Sequence, residues 1–178
     1  MMIKHTVYIF IFLLSAASCT SPVPQKQLDR KPYFDLATYF QTQAAKLQQQ
    51  QPMVNKEVSK NQQTEKQRLK IDDWTNELAL FSLSDINKSD WLNSYLVDTS
   101  AKALYYQAKD STLRTKQLII QKNTDGSVKQ IHIENSVRNW LYQSTEKLDY
   151  FPQSGYHIYK KQHVRIIGTN EYIIEGKW

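Results

Sequence analysis

The spacing of apolar residues changes character along this chain. It is an unbroken run from Val7 to Leu14, a recurrence every three or four positions after Phe34, and an alternation from Tyr95 onward. Each period belongs to a different kind of element. Phe34, Ala37, Phe40, Ala44 and Leu47 predict an amphipathic helix from Phe34 to Gln49, with Asp35 where the N-terminal dipole favours an acid and Pro52 closing the end. Val54 to Val58 and Thr64 to Ile71 alternate on either side of Asn61-Gln62, which predicts a hairpin with charged faces suited to a sheet edge. Asp72-Asp73 then offers an N-cap to a second helix that carries Trp74, Leu78 and Phe81 and ends near Leu83. Ser84 to Trp91 is a connector of turn formers, docked by Ile86 and Trp91.

Beyond Tyr95 the period is two. The expected strands are Tyr95 to Asp98, Ala103 to Lys109, Leu113 to Asn123, Val128 to Val137, Trp140 to Tyr150, Tyr156 to Ile166 and Tyr172 to Trp178. Links such as Thr124-Asp125-Gly126-Ser127 and Pro152-Gln153-Ser154-Gly155 are too short for crossovers, so consecutive strands must run antiparallel. Tyr156, Ile158, Val164, Ile166, Tyr172, Ile174 and Trp178 are expected on the apolar side, with His157, Lys161, His163 and Arg165 facing water. The expected fold class is α+β: an antiparallel β-meander of about seven strands plus an N-terminal hairpin, one face covered by two amphipathic helices. An outer-membrane barrel is a poor rival, because Arg114, Lys116 and Lys122 on one face of a strand and Gln117 and Gln121 on the other leave no row fit for lipid.

The first apolar run has a different purpose. A basic start (Lys4, His5), the run from Val7 to Leu14 and the small residues Ser15-Ala16-Ala17-Ser18 make a secretion signal. It ends directly before Cys19, the only cysteine. The residues before Cys19 resemble a lipobox, in which the cysteine is lipidated on its thiol and becomes the mature N-terminus; Ala16 stands where leucine is commonest. Residues 1–18 are thus expected to be a signal peptide. Residues 19–32 would be the lipidated Cys19 and a tether bearing Pro22, Pro24 and Pro32, and residues 33–178 a single α+β domain. Removing the first 18 of 178 residues leaves 160, enough for one core, and leaves Cys19 no disulfide partner. Thr20 resembles the residue type that lets diderm lipoproteins proceed to the outer membrane, and no acidic cluster follows it. The expected location is the outer membrane, on its periplasmic face.

Formal charge is +6, and losing Lys4 leaves +5 without a dense basic block. That charge reads first as a solvated surface, with attraction to anionic headgroups or acidic glycans as the weaker alternative; nucleic acid is a poor candidate behind a secretion signal. With four glycines in all, a phosphate-cradling loop is close to excluded, and neither a nucleophile elbow nor a zinc-binding helix motif occurs. His132 and Glu134 lie two apart on one strand face without a third ligand, so no metal and no cofactor is expected. His157 and His163 read as solvated. Asp72-Asp73, Asp85 and Asp90 lie near tryptophans, as the acids of a glycoside hydrolase would, but helix caps and turns account for them, and the chain is expected not to be an enzyme. Trp74, Trp91 and Trp140 are the candidates for an aromatic platform that stacks on sugar rings, against the ordinary reading of core and cross-strand aromatics.

Ile71 to Tyr95, with its acid-Trp cap, Glu77-Leu78, Phe81 and Ser84-Asp85-Ile86-Asn87-Lys88 leading to Trp91, resembles uncharacterised envelope lipoproteins of Bacteroidota. Tyr150-Phe151-Pro152, Gly155-Tyr156 and Glu175-Gly176-Lys177-Trp178 add to the likeness, which implies envelope placement and a single fold but no activity. At the level of architecture, a helix-covered sheet behind a lipid anchor also resembles the periplasmic carriers of lipoproteins. The expected function is therefore a membrane-anchored, non-enzymatic interaction module, with a hydrophobic ligand as its most specific cargo. A glycan, or an envelope protein of an outer-membrane assembly, is the alternative partner.

Overall fold

The computed structural model describes residues 31–178. Cys19, the expected signal peptide and the expected tether as far as Arg30 lie outside the described residues. The first element is helix α1 (Leu36–Gln50), capped by Asp35, whose side chain accepts from Thr38 N at 3.0 Å. Gln51 ends it in the left-handed conformation, and Pro52 leads into strands β1 (Met53–Lys60) and β2 (Gln63–Lys70). Asn61 and Gln62 turn this hairpin, both with positive φ.

The expected second helix is two short pieces, α2 (Trp74–Glu77) and α3 (Ala79–Ser82). Leu78 interrupts them at φ −95° and ψ 9°, a turn conformation that re-aims the chain so that Trp74, Leu78 and Phe81 are all buried. Asp73 caps α2 as expected, through Asn76 N. After a single 3-10 turn at Ser89–Trp91 the meander begins: β3 (Tyr95–Thr99), β4 (Ala103–Ala108), β5 (Thr115–Lys122), β6 (Val128–Arg138), β7 (Tyr142–Phe151), β8 (Gly155–Val164) and β9 (Gly168–Lys177).

All pairings are antiparallel, in one open sheet of nine strands ordered β2-β1-β9-β8-β7-β6-β5-β4-β3. Nine strands replace the expected count of about seven with a hairpin apart, because β1 pairs with β9 from Asn55↔Lys177 to Lys60↔Tyr172 and draws the hairpin into the sheet. The sheet does not close. Its edges are β2, which is charged with Lys66, Arg68 and Lys70, and the short β3.

One face carries the core. Helix α1 lays Leu36, Phe40, Ala44 and Leu47 across the strands, against Leu118, Ile120, Ile131, Ile133, Leu148 and Tyr150. Phe40 stacks on Phe81 with centroids 5.0 Å apart and meets Tyr150 edge-on at 4.9 Å. The Tyr150 hydroxyl donates to Gln43 Oε1 at 3.2 Å, so the ring is held at both ends. Two expected positions differ at the far end of the sheet. Trp140 stands in the β6–β7 turn instead of opening a strand, and Ile166 stands in the β8–β9 turn instead of on the apolar row; both are exposed. Asn139 causes the first, since its side chain accepts from Leu141 N and Tyr142 N and closes the turn one residue beyond Trp140.

Candidate functional site

Three polar or open regions stand out on this framework, and sequence spacing alone brings none of them together. The first is a row on the face opposite the helices. Strand register aligns Ile119, His132, Asp149, His157, Glu175, Glu57 and Lys66 across β5, β6, β7, β8, β9, β1 and β2. His132 Nδ1 lies 2.8 Å from Asp149 Oδ1, and its Nε2 is 3.7 Å from Glu134 Oε1. The hydrogen bond with Asp149 raises the His132 pKa, against the effect of burial. Burial alone would raise the Asp149 carboxyl, but the hydrogen bond and charge of His132, with Gln130 donating at 3.0 Å, outweigh it and lower the value. The two carboxylates bias this imidazole toward its protonated form. Among the described residues no group of three His, Cys, Asp or Glu side chains is placed to hold a metal.

Further along the same row the surface opens into two adjoining hollows. One, of about 420 Å³, is walled by Phe151, Tyr156, His157 and Trp178; the other, of about 320 Å³, by Glu57, Lys66 and Arg68, with Glu175 and Lys177 shared between them. Gly155, opposite Lys177, lines the first on a backbone at φ +144°. A Cβ there would collide with the Gly176 carbonyl oxygen. Together the hollows form a groove from the half-exposed ring of Phe151 to the sheet edge. Glu175 takes a 2.7 Å hydrogen bond from Lys177, which lowers its pKa, and lies 3.9 Å from His157 Nε2. Lys66 pairs with Glu57 at 2.9 Å, whereas Arg68 has no ion-pair partner among the described residues. The groove thus offers one aromatic face, several hydrogen-bonding groups and a slight surplus of positive charge.

The third region is enclosed. Glu146, on the core face of β7, is buried and held by Arg114 at 2.7 Å and Lys160 at 3.1 Å. Asn135 donates to Ser84 Oγ at 2.8 Å and to Glu146 at 3.2 Å. Asn135 Oδ1 and Ser144 Oγ are buried without a protein partner beside a pocket of about 70 Å³, room for roughly two waters. This cluster ties β5, β6, β7 and β8 to the chain after α3, through Arg114 Nη1 on Leu83 O and Thr115 Oγ1 on Ser84 O.

The candidate platform tryptophans lie apart. Trp74 is fully buried, edge-on to Trp178 at 5.3 Å; Trp91 is half-buried beneath Lys88, whose Nζ lies 4.2 Å from its ring centroid; Trp140 stands alone on a turn. Phe151 and Trp178 at the groove are aromatics to which residue order assigns no site; the β7–β8 and β8–β9 pairings bring them to the same hollow. Comparison with protein families, curated proteins and solved structures returns no match, so the reading of the groove rests on its own chemistry.

Proposed function

We propose that the chain is an envelope lipoprotein, anchored through Cys19 at the periplasmic face of the outer membrane, whose sheet is a non-enzymatic module for binding an acidic glycan. The groove carries this reading. Its volume falls in the range of small-ligand sites, Phe151 supplies a face for a sugar ring, and Lys66, Arg68 and Lys177 outnumber Glu57 and Glu175. The alternation of carboxylate, imidazole and ammonium groups suits hydroxyl recognition, each group donating or accepting in a fixed place. Carriage of a hydrophobic ligand is less well supported, because the space a chamber would need between helices and sheet is filled by Leu36, Phe40, Phe81, Ile120, Ile133 and Tyr150.

Two experiments test the parts separately. Growth with a radioactive fatty acid should label the wild-type protein and leave Cys19→Ala unlabelled; an unlabelled wild type would remove the anchor. Binding of the native protein to immobilised oligosaccharides rich in uronic acids should weaken at least tenfold in Phe151→Ala and in the Lys66→Gln/Arg68→Gln pair. Unchanged binding in both would remove the glycan.

A further inference from the structure

The three most exposed large apolar side chains of the described residues are Ile166, Trp140 and Ile167, at 86%, 79% and 76%. They occupy two neighbouring turns, β6–β7 and β8–β9, at one end of the sheet. Arg165 N donates to Leu141 O at 3.0 Å and joins the turns side by side. Each turn is also braced within itself: Asn139 accepts from Leu141 N and Tyr142 N, and Ile167 N donates to Val164 O at 3.0 Å. The apolar groups are therefore displayed by fixed backbone, at a standing cost in hydration that the fold itself does not recover. Arg138 and Arg165 flank them, exposed and without ion-pair partners among the described residues.

We propose that these turns are a membrane-contact surface: Trp140, Ile166 and Ile167 enter the boundary between headgroups and acyl chains, with Arg138 and Arg165 on lipid phosphates. An indole at headgroup depth beside cations whose stems reach along apolar surface is the arrangement a bilayer interface favours. A protein partner fits less well. Three side chains on two turns offer on the order of 500 Å², short of the ~800 Å² per partner that a stable protein interface buries.

The chain's own path gives a second, independent reason. The described chain enters at Lys31, and the Tyr33 hydroxyl lies 3.5 Å from Trp91 O. Trp91 leads into Ser94, whose carbonyl accepts from Lys109 N just past β4, and the β4–β5 turn shares its end of the sheet with the β6–β7 turn through Ser136 N on Arg114 O at 2.8 Å. From β4 to β8 is four strand spacings, about 19 Å. Cys19 to Arg30 reaches about 40 Å when extended, so a lipid on Cys19 and the two turns can meet one bilayer together. The groove lies at the opposite end of β7, β8 and β9 and would face away from the membrane.

The inference rests on the anchored reading, and one experiment keeps the two distinguishable. The full-length protein, purified from membranes, is reconstituted into vesicles of phosphatidylglycerol and phosphatidylcholine with bromine on the upper acyl chain. Tryptophan fluorescence should be quenched in the wild type, with at least half of that quenching absent in Trp140→Phe. It should also weaken in Ile166→Ser/Ile167→Ser, which keeps Trp140. These positions are solvent-exposed, and unchanged circular dichroism confirms the fold. Equal quenching in wild type and Trp140→Phe, or none in either, overturns the contact surface even when mass spectrometry finds the lipid on Cys19. Absence of that lipid overturns the anchor alone, and quenching through Trp140 would then still uphold the turns.

Discussion

The two faces of the nine-stranded sheet use the same strands for opposite ends. On the helix side, alternate residues of β5, β6 and β7 meet α1 in a packed layer where Phe40, Phe81 and Tyr150 interlock. On the other side, the intervening residues form ion pairs in aligned rows and a groove, all reached by water. One face therefore sets stability and the other is free to set recognition. Two acids on the packed side depart from this, Glu146, held by Arg114 and Lys160, and Glu77, paired with Lys56 at 2.8 Å.

The contrast between the faces breaks most readily at the centre of the packed one. Phe40→Ala, at a site with no solvent exposure, should lower unfolding free energy by about 3–5 kcal/mol in urea titration. A loss no larger than that of an outer-face variant would abolish the distinction. Glu146→Gln should cost about 2 kcal/mol, less than a fully buried pair, because Arg114 and Lys160 keep partial access to water. The variant leaves two cations without their carboxylate.

The smallest effect is on the exposed face and depends on pH. The raised pKa of His132 means that its contribution is complete below its unfolded value of 6.5 and is lost as pH rises through the folded value. The lowered pKa of Asp149 means that its contribution is complete above 3.8 and is lost as pH falls through the folded value. The pair therefore stabilises most between roughly pH 4 and 6.5. Asp149→Asn should lower the melting temperature by a few degrees in that window, and the difference should shrink above neutrality. A difference independent of pH would mean that the pair acts by packing.

Much of this architecture is legible in residue order. Period-two alternation and turn residues locate all seven meander strands to within a few positions, and Asp35, Asp73 and Pro52 mark helix ends. The divided second helix is not legible, because its apolar spacing suits one helix and only packing of Leu78 decides otherwise. Alternation misplaces Ile166, since two apolar residues between Arg165 and Gly168 extend a strand pattern by one step, whereas Gly168 at φ +94° places them in a turn. The half of the groove lined by β1 and β2 is beyond the reach of such patterns. It needs Glu57 opposite Glu175, a pairing between strands more than a hundred residues apart that no local pattern encodes.

If the exposed face is the one that recognises a ligand, binding must register there and not on the packed side. Hydrogen–deuterium exchange of the native protein, with and without a uronic-acid oligosaccharide, tests this directly. Added protection is predicted in β1, β2, β8 and β9 around Glu57, Lys66, His157 and Glu175, with α1 unchanged. Protection confined to α1 and the packed face, or no change anywhere, would contradict it.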